Sequence, residues 1–590
     1  MNQRWSLDAL YTSFEAQEFK NDFERFEKEI ARINKWAEEN LNSHEDAAKK
    51  IEEYIVFMND FNHLATRLMG FANLTTSVEA KNEKALKISD ILDEKITELT
   101  KPEVAFQKWL GKLQNIESII NDSQTLKDHG FFIMENVEKT KYLLSDEEEV
   151  LVAKLQNTGS NAWSKLQEVL TSTLLVDITV NGEAKKLPLP TVRNMAYSPD
   201  AELRKTAYEA ELAAYSKIEE SSAAALNGIK GEVITLSKLR GFSSPLERTC
   251  IEARMDLETL NAMLTAMRES LPAFHRYYRK KAELMGHKNG LPFYDMFAPM
   301  GNVDMQFTYQ EARDYIVKNF RSFSDKLADF AAHAFDNRWI DAEPREGKRG
   351  GAFCSNLHVI KQSRILSNFD GSFSNMTTLA HELGHGYHGA CLMDETYLNS
   401  RYPMPIAETA SIFCETIVKE AALKEANEEE TFAILENDIS DSGQVIVDIY
   451  SRFLFESELF RRRETEGALS VNDMKQIMLN AQKEAYGSGL DHDKLHPNMW
   501  TCKPHYYYAS HNFYNFPYAF GLLFAKGLYA EYLKRGKAFV PEYDKLLSVT
   551  GKKKLADVAL EMGIDIRSAE FWRNSLKLIE KDIEKFISLR

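Results

Sequence analysis

Leucine, isoleucine and phenylalanine recur every three or four residues along most of the chain, with charged side chains between them. The pattern is regular from Leu7 to about Leu175, as in FERFEKEIARINKWAEENL at residues 23–41. This spacing places apolar side chains on one face of an α-helix. Within YLLSDEEEVLVAKL, Ser145 and Glu148 have the spacing of a capping box, which marks a helix start. The sequence therefore predicts a long helical region before residue 175.

The periodicity changes at residues 174–190, where apolar residues alternate in LLVDITVNGEAKKLPLP. The alternation flanks Asn181-Gly182, and this dipeptide between two short strands predicts a β-hairpin. We interpret the hairpin as a seam between an N-terminal helical region, residues 1–197, and a second domain, residues 198–590. The second domain is predicted to begin with a helix whose capping hydroxyl is Ser198 and whose first residue is Pro199.

Helical patterns continue from there to Arg590, with one further interruption. The stretch KRGGAFCSNLHVI at residues 348–360 has glycines followed by small and β-branched residues. Such a composition is typical of one or two short strands. The sequence thus predicts a mainly α protein with a small β element.

Charge and cysteine content narrow the class of protein. The 73 Lys and Arg against 89 Asp and Glu give a net charge of −16, which argues against nucleic-acid or anionic-membrane partners. Five scattered cysteines without CxxC pairs are typical of a reducing compartment. The N-terminus has no apolar stretch of signal-peptide length, and FPYAFGLLFA at 516–525 is about half of the ~20 residues that span a membrane. We expect a cytoplasmic protein without a membrane segment.

The stretch TTLAHELGHGYHGA at residues 377–390 carries the candidate chemistry. Residues four apart share one face of a helix, so His381 and His385 can present two imidazoles to one metal ion. Glu382 lies beside them, where its carboxylate can take a proton from a water activated by zinc. Three glycines within six residues are costly in a helix and suggest that it packs closely against neighbouring backbone. The motif predicts a catalytic zinc site.

The third ligand has several candidates. His388 lies about two turns, or ~10 Å, from His381 along the helix axis, which is too far for both to bind one ion. We therefore expect His388 either to hydrogen-bond a metal ligand or to have a structural role. In SRYPMPIAETASIFCETIVKEAAL, Pro403 and Pro405 precede a new helix. Glu408 near its start could point back at the metal, and Glu415, seven residues later, could hydrogen-bond a ligand imidazole.

These residues resemble the oligoendopeptidase F group of the thimet oligopeptidase family of zinc peptidases. The resemblance rests on five ordered motifs that span most of the chain: WSLDALYTSFEAQEF (5–19), GKRGGAF (347–353), ILSNFDGSFSNMTTLAHELGHGYH (365–388), PIAETASIFCE (405–415) and HYYYASHNFYNFPYAFGLLFAKGLY (505–529). The family implies a large, multi-helical, clam-like molecule with a deep internal channel. It also implies that residues 198–590 form a zinc peptidase catalytic domain.

The resemblance also implies roles for individual residues. One Zn²⁺ ion would be bound by His381, His385 and Glu408, with Glu382 as general base. His505, Tyr514 and Tyr518 would contact the substrate carbonyl, which needs donors as its oxygen becomes charged.

The resemblance does not decide which histidine contacts the substrate, because His511 lies in the same segment as His505. Residues Gly351, Ala352 and Phe353 look like part of an edge strand that pairs with the substrate backbone.

The predicted function is a zinc-dependent endopeptidase that acts on short peptides. A zinc carboxypeptidase or dipeptidyl carboxypeptidase is an alternative, and it would need a cationic group to grip the free C-terminus of the substrate. A second alternative is a peptide-binding protein whose metal is structural, which would require a fourth protein ligand.

Overall fold

Helices make up most of the chain, as the spacing of its apolar residues predicts. The computed structural model describes residues 2–301 and 305–590. The helices within these residues, in chain order, are α1 (Gln17–Asn40), α2 (Ala47–Val78), α3 (Glu83–Ile96), α4 (Thr100–Leu110), α5 (Ile116–Ile120), α6 (Gln124–Asp128), α7 (Gly130–Thr140), α8 (Asp146–Thr158), α9 (Ser160–Thr173), α10 (Leu189–Asn194), α11 (Ala201–Tyr215), α12 (Glu219–Leu239), α13 (Pro245–Glu252), α14 (Leu257–Leu284), α15 (Tyr309–Phe323), α16 (Asp325–Asp336), α17 (Phe373–Cys391), α18 (Met404–Ala407), α19 (Thr409–Glu425), α20 (Glu428–Gly443), α21 (Ile449–Glu466), α22 (Val471–Tyr486), α23 (Met499–Cys502), α24 (Phe516–Arg535), α25 (Phe539–Ser548), α26 (Leu555–Leu560) and α27 (Ala569–Ser588).

The chain forms two compact units, and each is assembled from three separate stretches. The first unit contains Met1–Lys141, Asp304–Lys424 and Glu531–Ile564. The second unit contains Tyr142–Val303, Glu425–Ala530 and Asp565–Arg590. This grouping is spatial, whereas the predicted boundary at residue 197 divides the sequence, and that boundary stays a prediction.

One apolar cluster of the first unit is built largely from its N-terminal helices. On α1, the residues Phe19, Phe26, Ile30 and Ile33 are at most 3% exposed and join one apolar cluster with side chains of α2 and α4. Their spacing follows the helix period, so a single face is buried and the charged face meets solvent.

A three-stranded sheet in the first unit lies beside this cluster. Its strands are β3 (Ile340–Asp341), β4 (Phe353–Leu357) and β5 (Gln362–Leu366), which follow β1 (Leu175–Val180) and β2 (Glu183–Pro188) in chain order. The order is β3-β5-β4, with β5 parallel to β3 and antiparallel to β4. Strand β4 therefore lies at an edge of the sheet.

The second unit contains the predicted hairpin, formed by β1 (Leu175–Val180) and β2 (Glu183–Pro188). Its two turn residues, Asn181 and Gly182, have φ of 55° and 79°, the left-handed values that a tight hairpin turn requires. One face of β1 packs with α10 and α11 in a small apolar cluster. The alternating pattern thus placed the strands correctly.

The structure confirms one of two predicted helix starts, that of α8, and contradicts the other, that of α11. The capping box of Ser145 and Glu148 is present at the start of α8. The predicted cap at Ser198 is wrong, because α11 begins at Ala201 and Asp200 accepts hydrogen bonds from two backbone N–H groups. The Ser198 hydroxyl accepts instead from the Asp200 N–H at 3.1 Å. A carboxylate two residues downstream competes for the same role.

The apolar segment at 516–525 is the beginning of α24. Among the described residues, every helix is too short or too polar to cross a bilayer.

Candidate active site

Helix α17 carries the two histidines of the HELGH motif. The helix begins after Ser372, whose hydroxyl accepts a hydrogen bond from the Asn375 N–H at 3.2 Å. The His381 and His385 rings lie one turn apart, with centroids separated by 4.9 Å. A regular helix therefore brings the two imidazoles together, as the four-residue spacing predicts.

The glycines of α17 allow close packing. A Cβ atom on Gly384 would lie 2.5 Å from the Ala410 carbonyl oxygen and 2.6 Å from the Ser411 Cα, so α17 and α19 meet backbone to backbone there. At Gly386 the nearest neighbour is the Phe330 ring, and at Gly389 it is the Asn356 side chain. The predicted contact with backbone is thus confirmed at Gly384, while the other two glycines make room for side chains.

Glu408 joins the two histidines. It lies between α18 and α19, and its Oε2 is 3.2 Å from His381 Nε2 and 3.3 Å from His385 Nε2. The Ser411 hydroxyl donates to the same oxygen at 2.9 Å. Among the described residues, these three side chains form a group whose donor atoms all lie within 4.8 Å of one another. Two imidazoles and one carboxylate are a donor set that suits a divalent metal ion.

The imidazoles and carboxylates of this group shift one another's pKa values. Burial works to lower the pKa of the His381 imidazole, but the carboxylates of Glu408 and Glu415 outweigh burial and raise it to about 10. Conversely, burial works to raise the pKa of Glu408, and the two imidazoles hold it well below its usual range. The carboxylates thus give the site negative charge that a cation would balance.

Glu415 orients one of the histidines. Its Oε2 lies 3.1 Å from His381 Nδ1, and its Oε1 lies 2.9 Å from Lys419 Nζ. Although burial alone would raise the pKa of Glu415, Lys419 and His381 lower it to about 2. A carboxylate on Nδ1 fixes the ring so that Nε2 points at Glu408, which is the arrangement expected around a metal-binding histidine.

Glu382 has a different environment from the other two glutamates. It is 6% exposed, and its Oε2 is buried and has no hydrogen-bond partner among the described residues. Burial raises its pKa, and the nearby histidines offset only part of this effect. A buried carboxylate oxygen left without a partner is available to a substrate or water.

His388 lies outside the group, as its distance along the helix predicts. It is fully buried, with its ring stacked on Tyr402 at 4.1 Å and its Nε2 2.9 Å from the Thr550 hydroxyl. Burial lowers its pKa to about 3, so the ring is neutral. These contacts give His388 a structural role within the first unit.

The small sheet is attached to α17 by a residue that sequence reasoning missed. Asn356 of β4 donates to the His385 carbonyl at 3.1 Å and accepts from the Ser363 hydroxyl at 2.7 Å. Phe353 opens the edge strand, while Gly351, with φ of 79°, and Ala352 precede it. Asparagine in a short strand carries no motif, so sequence reasoning had no signal that could have found it.

His505, Tyr514 and Tyr518 come together in the second unit. The Tyr514 and Tyr518 hydroxyls are 3.0 Å apart, and the Tyr514 ring lies 5.8 Å from the His505 ring. The alternative histidine, His511, is also 5.7 Å from Tyr514, but it is exposed and its Nδ1 is bound to the Ser510 hydroxyl at 2.7 Å. His505 Nε2 is buried and has no partner among the described residues, which favours His505 as a substrate-contacting group.

The charge state of His505 is set by its neighbours. Burial, followed by the cations Arg452, Lys503 and Lys230, lowers the pKa of its imidazole to about 3. The ring is therefore neutral near pH 7 and has one N–H to donate.

Families and relatives that match this chain are all described as peptidases or oligopeptidases, and together the matches cover nearly all of the sequence. The family model described as Peptidase family M3 matches residues 194–578, and the model described as Oligopeptidase F matches residues 113–174. Oligopeptidase PepF of Bacillus subtilis is 23% identical over 99% of this chain and 87% of its own length. The chromosomal oligoendopeptidase F of Lactococcus lactis subsp. cremoris is 27% identical over 69% of this chain and 67% of its own length.

Solved structures have the same fold. A putative peptidase from Chlamydophila abortus matches with a TM-score of 0.86 at 20% identity, covering 100% of this chain and 98% of its own. Oligoendopeptidase-F from Enterococcus faecium matches with a TM-score of 0.70 at 18% identity, covering 97% and 99%. Since the M3 model covers more than half of the sequence, the chain belongs to Peptidase family M3 and is a metalloendopeptidase of the oligoendopeptidase F type.

Proposed function

We propose that the protein is a zinc-dependent endopeptidase that hydrolyses short oligopeptides, with Glu382 as general base. The observation that carries this proposal is the convergence of His381 Nε2, His385 Nε2 and Glu408 Oε2 beside a buried glutamate whose Oε2 has no partner among the described residues. The names of the relatives, oligopeptidase and oligoendopeptidase, support the substrate class.

His381, His385 and Glu408 would hold one zinc ion, since imidazole nitrogen and carboxylate oxygen are ligands that zinc prefers. When bound, zinc supplies Lewis-acid chemistry: it polarises a substrate carbonyl and makes a nearby water more acidic. Glu415 keeps the His381 ring in place through Nδ1. Three protein ligands leave room for a substrate, which distinguishes this site from a closed structural one.

Glu382 would move the proton. Its carboxylate takes a proton from the water that attacks the peptide carbonyl carbon and then gives that proton to the leaving amine nitrogen as the C–N bond breaks. Burial raises the pKa of Glu382 above its usual range, which makes its carboxylate a stronger base for the first transfer. The missing partner of Oε2 leaves that atom free for this exchange.

Tyr514, Tyr518 and His505 would donate hydrogen bonds to the carbonyl oxygen as it gains charge. A phenol hydroxyl and a neutral imidazole can each donate one hydrogen bond without carrying a charge of their own. Residues 351–353, with the free edge of β4 that follows, would pair with the substrate backbone. Backbone pairing reads an extended peptide without reading its side chains. The cytoplasmic location stays a prediction.

The test is Glu382→Gln, assayed with a ladder of peptides of increasing length and product analysis by mass spectrometry. The amide keeps the shape of the side chain but cannot accept the proton. We expect one zinc per chain to be retained and kcat to fall by about a thousandfold or more. Substantial turnover by the variant would remove Glu382 from the mechanism.

The same ladder tests the mode of cleavage. Peptides with an amidated C-terminus should be cut as well as free ones, because internal bonds are the targets. Cleavage that requires a free C-terminus would identify a carboxypeptidase or dipeptidyl carboxypeptidase instead.

A further inference from the structure

The segment at residues 505–518, here called the tyrosine segment, carries Tyr514 and Tyr518. It is largely irregular and contains a strained residue. Between a short 3₁₀ turn, Pro504–Tyr507, and the start of α24, the backbone at Phe513 has φ of 54°. A bulky side chain rarely adopts this left-handed conformation, and it persists only where the surrounding structure enforces it. Tyr514 follows directly, so the turn at Phe513 sets the direction of its side chain.

A buried ion pair lies directly behind this turn. Lys230 of α12 and Glu456 of α21 are 0% and 3% exposed, and Lys230 Nζ is 2.7 Å from Glu456 Oε1. The other carboxylate oxygen of Glu456 accepts the Phe513 N–H at 2.9 Å. Lys230 Nζ also donates to the Asn512 side-chain oxygen at 2.9 Å. One pair of opposite charges thus binds two successive residues of the segment.

Further contacts fix the same two residues. The Thr249 hydroxyl donates to the Asn512 carbonyl at 3.0 Å, and the Asn512 side chain donates to the Ala509 carbonyl at 3.0 Å. The Phe513 ring packs against Phe453 and Phe460, with centroid distances of 5.4 Å and 5.6 Å. The left-handed turn is therefore held from α12, α13 and α21.

We propose that Lys230 and Glu456 are positioning residues for catalysis: they hold the turn at Phe513 so that the Tyr514 hydroxyl stays beside Tyr518 and the Tyr514 ring beside His505. This inference rests on the proposed function, since it concerns the donors assigned there. Neither charge needs to touch substrate. A buried pair of charges is a poor way to gain stability compared with apolar residues, but its directional hydrogen bonds define one conformation.

A second buried pair in the same unit provides a matched control. Lys281 Nζ lies 2.6 Å from Glu436 Oε1, with the two side chains 1% and 8% exposed. The Tyr277 hydroxyl donates to the same carboxylate at 2.9 Å, so the hydrogen bonds described for Glu436 come from Lys281 and Tyr277. Loss of charge at Glu436 should cost stability in the same way while leaving the tyrosine segment intact.

The experiment compares Glu456→Gln with Glu436→Gln by thermal unfolding and steady-state kinetics on the zinc-loaded enzyme. We expect both variants to melt at lower temperature. Only Glu456→Gln should lower kcat, by about tenfold to a hundredfold with KM changed less than about twofold, because the displaced donor acts on the transition state. A kcat for Glu456→Gln within about twofold of the control variant would overturn the proposal.

A double variant tests whether the effect passes through Tyr514. In a Tyr514→Phe background, Glu456→Gln should lower kcat by less than about twofold further, since the group that it positions is already gone. An undiminished loss in that background would mean that the pair acts elsewhere, and the proposal would fail.

If Glu456→Gln does not fold, Thr249→Val decides. This change removes one hydroxyl that holds Asn512 and conserves side-chain shape. A kcat lowered by about threefold supports the proposal, and an unchanged kcat overturns it. Glu382→Gln is measured in parallel. Full activity there contradicts the proposed function, whereas an inactive Glu382→Gln with normal Glu456→Gln contradicts the positioning role alone.

Discussion

The group that would hold a metal in the first unit, made of His381, His385 and Glu408, is called the metal group, and His505, Tyr514 and Tyr518 of the second unit are called the aromatic cluster. The two are built in different ways. His381 and His385 are held by one regular helix, so their separation follows from helix geometry. The tyrosines and His505 are spread over a 3₁₀ turn, an irregular segment and the first turn of α24. Their arrangement depends on side chains from distant helices, above all Lys230 and Glu456. Secondary structure is enough to set the spacing of the two histidines, whereas the arrangement of the second site depends on tertiary contacts throughout.

The same residue type also behaves oppositely in the two regions. The imidazole of His381 has its pKa raised to about 10 by two carboxylates that outweigh burial, whereas burial and three cations lower that of His505 to about 3. The first environment collects negative charge, as a cation site requires. The second keeps the His505 ring neutral, so that it would donate one hydrogen bond to an oxyanion without carrying a charge of its own. Burial and neighbouring charge, and not residue identity, decide the charge state of each ring.

The largest effect is expected from removal of the carboxylate that completes the metal group. Glu408→Ala leaves two imidazoles without their third partner, so zinc should be lost and kcat/KM should fall by about a thousandfold. Metal analysis after dialysis, together with peptide cleavage, checks this. His388→Gln is the comparison, since that ring lies outside the group, and it should retain one zinc per chain. The ligand assignment is wrong if His388→Gln empties the site and Glu408→Ala does not.

A smaller loss is expected in the second unit. Tyr514→Phe removes one hydroxyl donor and should lower kcat by about a hundredfold without loss of zinc, since a single oxyanion donor has an effect of that order. Tyr508→Phe removes a hydroxyl from the same segment that contacts Glu168 at 3.3 Å, and it should leave kcat unchanged. Equal kinetics for the two variants would mean that the aromatic cluster is only packing.

The smallest effect is expected from loss of the Glu415 carboxylate, which contacts His381 on the ring nitrogen that faces away from Glu408. Glu415→Gln keeps an oxygen near His381 Nδ1 but removes the charge that holds the ring and balances Lys419. Zinc affinity should fall by about tenfold, with kcat of the fully loaded enzyme nearly unchanged. Titration with a competing chelator measures the affinity. An unchanged affinity would show that helix geometry alone orients His381.

Local patterns predicted local structure well. The three- and four-residue spacing gave helices such as α1, and Asn181-Gly182 gave the hairpin, because both signals act between near neighbours. The helix start near residue 200 was misplaced because Ser198 and Asp200 are both good caps and only the folded chain selects one. Errors of this kind arise where two local signals compete within a few residues.

Residues that act over long sequence distances were harder to find. Asn356 and the pair of Lys230 and Glu456 carry no motif, and each contacts its partner through a fold that brings distant segments together. The three stretches that make up each unit have no marker in the sequence either. A buried lysine and a surface lysine look alike until the packing around them is known.

The sequence by itself determined that this protein is mainly helical, that His381 and His385 face one point and that His388 does not share it. Those results follow from the fixed rise and period of a helix, which need no knowledge of the rest of the chain. Only the tertiary structure decided how Glu408 reaches both rings, why Gly384 must lack a side chain and how a strained turn at Phe513 is held. Each of these depends on contacts between segments whose approach no local pattern records.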